Sequence, residues 1–122
     1  MKFSVLMSVY KQEKPAYLQQ AIDSVVNQTL PPSQIVIVKD GPLTKELDAV
    51  IDLCVKKNPC FTIVTLKKNS GLGVALNNGL KACKYNIVAR MDTDDISVPE
   101  RFEKQIAYIS KHRNLAIIGS NI

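Results

Sequence analysis

Cysteine and histidine, two of the commonest carriers of chemistry, are scarce in this chain. The three cysteines, Cys54, Cys60 and Cys83, are an odd number with no CxxC spacing. That argues against a disulfide framework and against a zinc site. Cys54 and Cys83 fall on apolar helical faces and are expected as core thiols, as free cysteines commonly are. The single histidine, His112, sits in Lys111-His112-Arg113 near a predicted helix end. Interaction with the helix dipole accounts for it better than catalysis does. No apolar run approaches the ~18 residues of a membrane span. The apolar run before Tyr10 is too short for a signal peptide; Lys11, Glu13 and Lys14 follow at once, without a small-residue cleavage site. The chain therefore reads as cytoplasmic. A basic run with interleaved aromatics is also missing, so nucleic-acid binding is poorly supported despite a net charge of +5.

What remains is the composition of one ordinary globular domain. The 122 residues are 46% hydrophobic and 22% charged, enough to bury a core without covalent staples. Residues 3–9 form a mostly apolar run that reads as a strand buried on both faces. Pro15 suits a first helical turn, and Leu18, Ala21, Ile22, Val25 and Val26 repeat at helical spacing. Ile35-Val36-Ile37-Val38 is a second strand, closed by the turn Asp40-Gly41-Pro42. Leu47, Val50, Ile51 and Cys54 mark a second helix, and residues 61–66 a third strand. Asn69-Ser70-Gly71-Leu72-Gly73 feeds a third helix to about Cys83. Residues 86–91 read as a fourth strand, Pro99 opens a fourth helix carrying Phe102, Ile106 and Ile109, and residues 115–119 read as a fifth strand. No repeat, linker or low-complexity segment interrupts the series.

Alternating strands and helices predict an α/β fold, a mostly parallel sheet with helices on both faces. Such sheets bind ligands at the carboxyl ends of their strands, where the winding reverses. Tyr10, Asp40 and Asp92 all follow predicted strands. If the strands lie in the order two, one, four, Asp40 and Asp92 stand about 10 Å apart across the sheet. Periodicity does not supply that order, so it is an assumption at this level.

The most concentrated chemistry is Met91-Asp92-Thr93-Asp94-Asp95, three carboxylates within four residues. In an extended chain Asp92 and Asp94 project to one side and repel unless a positive charge lies between them. A hard divalent cation holding a diphosphate would satisfy both. The alternative is a solvated acidic turn in which Asp95 or Ser97 caps the next helix.

Taken together, these blocks resemble the inverting, nucleotide-sugar-dependent glycosyltransferases of family 2, which have the GT-A fold. The resemblance is carried by Ser4-Val5-Leu6-Met7-Ser8-Val9-Tyr10 with Glu13 and Leu18. It continues in residues 25–30, in Val36-Ile37-Val38-Lys39-Asp40-Gly41-Pro42 and in residues 69–80. Ala89-Arg90-Met91-Asp92-Thr93-Asp94-Asp95 and Pro99-Glu100-Arg101-Phe102 complete it. These blocks in order, over essentially the whole chain, are far more specific than one DxD triplet. The subgroup it looks most like builds bacterial exopolysaccharide, capsule or lipopolysaccharide.

By that resemblance Asp40 would accept a hydrogen bond from the nucleotide base, usually uracil; its structural alternative is an Asx turn before Gly41. Tyr10 would lie beside the base, with Ser8, Val9 and Glu13 lining the same pocket. Asp92 would touch the ribose or the metal's water shell, and Asp94 would ligate Mn²⁺ or Mg²⁺ directly. Asp95 would orient its neighbours. Asn69 and Gly71 would shape the loop over the nucleotide, the glycine allowing close backbone approach. The implied partners are a nucleotide-sugar donor and a saccharide or lipid-linked acceptor, with peripheral membrane association of the full-length enzyme at the inner face of the plasma membrane.

Two positions depart from the family pattern, of which Ser8, where proline is frequent, should matter little. Leu76 stands where many members carry an arginine that helps to bind the diphosphate. Lys67, Lys68 or Arg90 could replace it, or Arg90 could pair structurally with Asp92 or Asp94. No catalytic residue is assigned here, because the family's acceptor-side base belongs to a later half of the domain. The 122 residues are thus expected to be one nucleotide-sugar-binding domain from a longer enzyme, inactive in transfer when alone. A noncatalytic nucleotide-binding module is the rival reading. A receiver-type signalling domain fits worse: its first strand should end in acids and its third in an aspartate, not in Val9-Tyr10 and Leu66-Lys67-Lys68. Gly71-Leu72-Gly73-Val74-Ala75-Leu76 likewise fails to complete the dinucleotide fingerprint.

Overall fold

The structure is a computed structural model and describes residues 2–92, 102–105 and 117–118. In chain order the elements are β1 (Ser4–Val9), α1 (Pro15–Val26), β2 (Gln34–Lys39), α2 (Lys45–Lys57), β3 (Phe61–Thr65), α3 (Leu72–Ala82), β4 (Val88–Arg90) and β5 (Ile117–Ile118). Residues 102–105 are also helical. Local chemistry sets the helix ends. Pro15 occupies the first turn of α1, where its missing N–H costs nothing. Thr44 caps α2 by accepting the Leu47 N–H at 3.2 Å. Glu46 and Asp48 in the first turn, and Lys56 and Lys57 in the last, complement the α2 dipole.

The five strands form one sheet in the order β3-β2-β1-β4-β5, with every pairing parallel. The chain winds outward from β1 through β2 to β3, and α3 then carries it back to β4 on the other side of β1. The order two, one, four assumed from the sequence is the order found. The reversal between β1 and β4 is a topological switch point, and parallel pairing brings the carboxyl ends of β2, β1 and β4 to the same edge.

Each face of the sheet has its own apolar cluster. Phe3, Val5, Met7 and Val9 of the first strand run, with Ile35 and Ile37, pack against Leu18, Ile22 and Val25 of α1 and Leu47 and Ile51 of α2. Phe102 joins this cluster, its ring meeting Phe3 edge-on at 5.2 Å. Leu6, Val36, Val38 and Val88 face the other way, onto Ala75 of α3. Gly79 lets α3 settle closely there, since a β-carbon would collide with Leu6 and Val38. The helices thus cover both faces, as the alternation predicted.

At the amino end of the sheet, buried Gln34 holds four partners. Its Oε1 accepts from Ser4 Oγ at 2.7 Å and from the Lys84 N–H at 2.8 Å. Its Nε2 donates to Thr62 Oγ1 and to the Ala82 carbonyl, both at 3.0 Å. A buried amide so satisfied costs no desolvation penalty.

Some expectations need correction. The fourth strand shrinks to Val88–Arg90 from the apolar run 86–91. Cys54 is buried, but Cys83, the extended C-cap of α3, is only partly so and packs at the margin of the α3-side cluster. His112, Asp94, Asp95 and most of the predicted fourth helix lie outside the described residues.

Candidate functional site

A cavity of about 470 Å³ opens at the carboxyl edge of the sheet, lined by Ser8, Tyr10, Glu13, Asp40, Asn69, Gly71, Leu72, Arg90 and Asp92. β1 supplies Ser8, the loop after it Tyr10 and Glu13, and β2 leads into Asp40. The β3–α3 loop contributes Asn69 and Gly71, and β4 contributes Arg90 with Asp92 just beyond. The donor-site residues expected from the sequence therefore meet around one concavity, with a single exception. Val9 is fully buried on the opposite face of the sheet, in the cluster with α1 and α2. Period-two alternation forces this: when Ser8 and Tyr10 face the cavity edge, Val9 must turn away. Leu72 is the wall residue that sequence reasoning missed. It is half exposed at the first turn of α3, and an apolar side chain there carries no signal that separates it from an ordinary helix start.

Asp40 is buried, at 5% exposure, yet it reaches the wall. One carboxylate oxygen accepts the Ser70 N–H at 2.7 Å and the other accepts the Gly71 N–H at 3.2 Å. Its own N–H donates to the Val9 carbonyl at 2.8 Å, continuing the β1–β2 ladder. The carboxylate thus serves the backbone 30 residues away, not an Asx turn of its own. Two glycines of positive φ shape this part of the wall. Gly41, at φ 88°, is the position of close approach, where a β-carbon would lie 2.5 Å from the Asn69 nitrogen. Gly71 has open space around it and is required instead by its φ of 93°.

Charge on the wall is unbalanced, with the carboxylates of Glu13, Asp40 and Asp92 facing the guanidinium of Arg90. Arg90 Nη2 lies 3.7 Å from Asp92 Oδ1, both side chains about half exposed, a loose pair of the kind that contributes about 0–1 kcal/mol. Lys39 turns to the other face, where it pairs with Asp48 at 3.0 Å. Lys67 and Lys68 are exposed and stand off the wall. Leu76, at the family's arginine position, packs against the α3-side cluster. A phosphate-bearing ligand in this cavity would meet more negative than positive charge, which favours entry with a divalent cation.

Among the described residues, no group of three or more His, Cys, Asp or Glu is placed to hold a metal ion. Asp92 is the expected ligand that is described, and its all-oxygen chemistry fits a hard cation that takes one or two carboxylates plus phosphate oxygens. The cysteines are remote from this chemistry. Burial raises the thiol pKa of Cys54, Cys60 and Cys83 above the ordinary value, and none lines the cavity.

A parallel α/β sheet with a cavity at its switch point has the architecture in which such folds bind their ligands. The chain belongs to glycosyl transferase family 2, which it matches over residues 4–122. It is 50% identical over 120 residues to the amylovoran biosynthesis glycosyltransferase AmsE of Erwinia amylovora, covering 98% of this chain and 45% of that protein. It is 40% identical over 119 residues to an Escherichia coli UDP-Gal:alpha-D-GlcNAc-diphosphoundecaprenol beta-1,3-galactosyltransferase, covering 98% and 43%. Among solved structures it resembles S. aureus TarS 1-349 in complex with UDP-GlcNAc, with TM-score 0.80 and 28% identity, covering 93% of this chain and 32% of that one. The GT-A architecture expected from the sequence is the one found. The chain spans less than half the length of these curated relatives.

Proposed function

We propose that this chain forms the donor-binding part of an inverting glycosyltransferase that assembles a surface polysaccharide, using a UDP-sugar and a saccharide or lipid-linked acceptor. The convergence of Tyr10, Asp40, Asn69, Gly71, Arg90 and Asp92 on one cavity at the switch point carries the reading. The relatives support its direction: one is named for UDP-Gal and a diphosphoundecaprenol-linked acceptor, and another structure holds UDP-GlcNAc.

In this reading Tyr10 lies beside the base. Asp40, an acceptor-only group when ionised, meets a base N–H with the lone pairs its two backbone amides leave open. Ser8, Glu13, Asn69 and Gly71 complete the wall, and Asp92 approaches the ribose or the metal's water shell. Arg90 supplies the counter-charge that Leu76 cannot. Asp92 and Asp94 would hold Mn²⁺ or Mg²⁺, which offsets the charge building on the departing nucleoside diphosphate. Inversion follows from one displacement at the anomeric carbon, with a carboxylate deprotonating the acceptor hydroxyl from the opposite side. We assign no residue of this chain to that base. The enzyme works at the cytoplasmic face of the membrane; among the described residues no helix is long and apolar enough to cross it.

Calorimetric titration of UDP, GDP and a UDP-sugar, with and without Mn²⁺, tests the proposal. UDP should bind in a Mn²⁺-dependent manner that Asp94→Ala abolishes. Failure of the folded full-length protein to bind any nucleotide would refute the donor assignment.

A further inference from the structure

The Asp40 carboxylate sits where two independent constraints on the β3–α3 loop meet. Its oxygens hold the Ser70 and Gly71 amides at 2.7 and 3.2 Å. The next residue, Gly41, lets the backbone of Lys68 and Asn69 come closer than any side chain would permit. The same short loop places Asn69, Gly71 and Leu72 on the cavity wall. The Ser70 hydroxyl stays within the loop, donating to the Lys68 carbonyl at 3.1 Å.

We propose that Asp40 is a positioning residue, whose carboxylate docks the β3–α3 loop and thereby sets the cavity wall that the nucleotide meets. The proposal rests on the donor-site reading above and adds a second role to Asp40. An ionised carboxylate has about four lone-pair sites. Two serve the loop amides, so a donor group on a ligand adds to the cluster without displacing the loop. Loop docking and nucleotide binding then share one anchor and favour each other, as linkage requires. Asparagine cannot hold both loop amides, because its single acceptor oxygen can take one and its N–H₂ then faces the other backbone N–H.

Amide hydrogen exchange at Ser70 and Gly71 reads the docking directly, in the full-length protein with and without UDP and Mn²⁺. In the wild type, UDP should slow exchange at both amides. Asp40→Asn, matched in size, should accelerate exchange at one or both by about tenfold or more while the β1 and β2 amides keep their protection. Gly41→Ala leaves the carboxylate chemically intact but pushes the loop away. It should weaken UDP by a factor of about 5–150, the usual span of coupling between sites. Unchanged exchange at both amides in Asp40→Asn would overturn the proposal. So would wild-type UDP affinity in folded Gly41→Ala together with exchange that UDP does not alter. If the wild type binds no nucleotide, the donor reading falls separately, and the Asp40→Asn exchange still decides whether the loop is docked by this carboxylate.

Discussion

Enlarging Gly79 tests how tightly α3, and the cavity wall at its first turn, is seated on the sheet. A β-carbon at this position collides with Leu6 from β1 and Val38 from β2 at once, and both side chains are buried, at 2% and 0% exposure. Neither can withdraw without disturbing a different strand. Forcing extra methyl groups into such a core costs about 1–3 kcal/mol, while leaving glycine behind in a helix returns only a few tenths for valine. Gly79→Val should therefore destabilise by about 2 kcal/mol, seen as a lower urea midpoint with unchanged slope. Leu6→Ala alone should cost about 2–5 kcal/mol through its cavity. In the double variant the added valine occupies the space that Leu6 vacates. The combined loss should fall short of the sum by about 1–2 kcal/mol, within the usual coupling of residues in contact. Additivity within about 0.5 kcal/mol, or a Gly79→Val protein as stable as the wild type, would refute close seating of α3.

Two further outcomes follow from charge. Arg90→Gln removes a cation from the cavity wall. It should weaken UDP about tenfold or more, as loss of a charge-assisted contact does; equal affinity by calorimetry would remove Arg90 from the diphosphate site. Burial lifts the folded-state pKa of Cys54 above its free value of 9.0, so the stability that its neutral thiol contributes is complete below that value and is lost as pH rises through the folded pKa. The stability gap between wild type and Cys54→Ala should accordingly narrow in urea titrations from about pH 8 to about pH 10.

The sheet was readable because its signals are local. Apolar runs, helical spacing and the prolines and glycines between them located β1 through α3 to within a residue or two. The strand order was not, since it depends on which way α3 crosses back, and no periodicity records that. The cavity wall divides along the same line. Tyr10, Asp40 and Asp92 were found because polar residues at strand ends are conspicuous. Val9 was misplaced although the alternation that turns it into the core was visible in the sequence. The bond from Asp40 to Ser70 and Gly71 links residues 30 and 31 apart, a distance over which no sequence pattern pairs donor with acceptor. The expectations for Asp94 and Asp95 fall outside the described residues.

Gln34 has a consequence for how the fold comes apart. Its partners lie 28, 30, 48 and 50 residues away, so no local fragment can assemble this hub and none can leave it alone. Such long-range bonds are closed late in folding, after the loop entropy between them has been spent. Once closed, they make the outer strand β3, the central β1 and the return from α3 to β4 a single cooperative unit. Gln34 thus ties the amino edge of the sheet together, while the cavity lies at the opposite, carboxyl edge. Opening around the cavity can then proceed as a sub-global fluctuation at the loop end, while the strands stay in register beneath it.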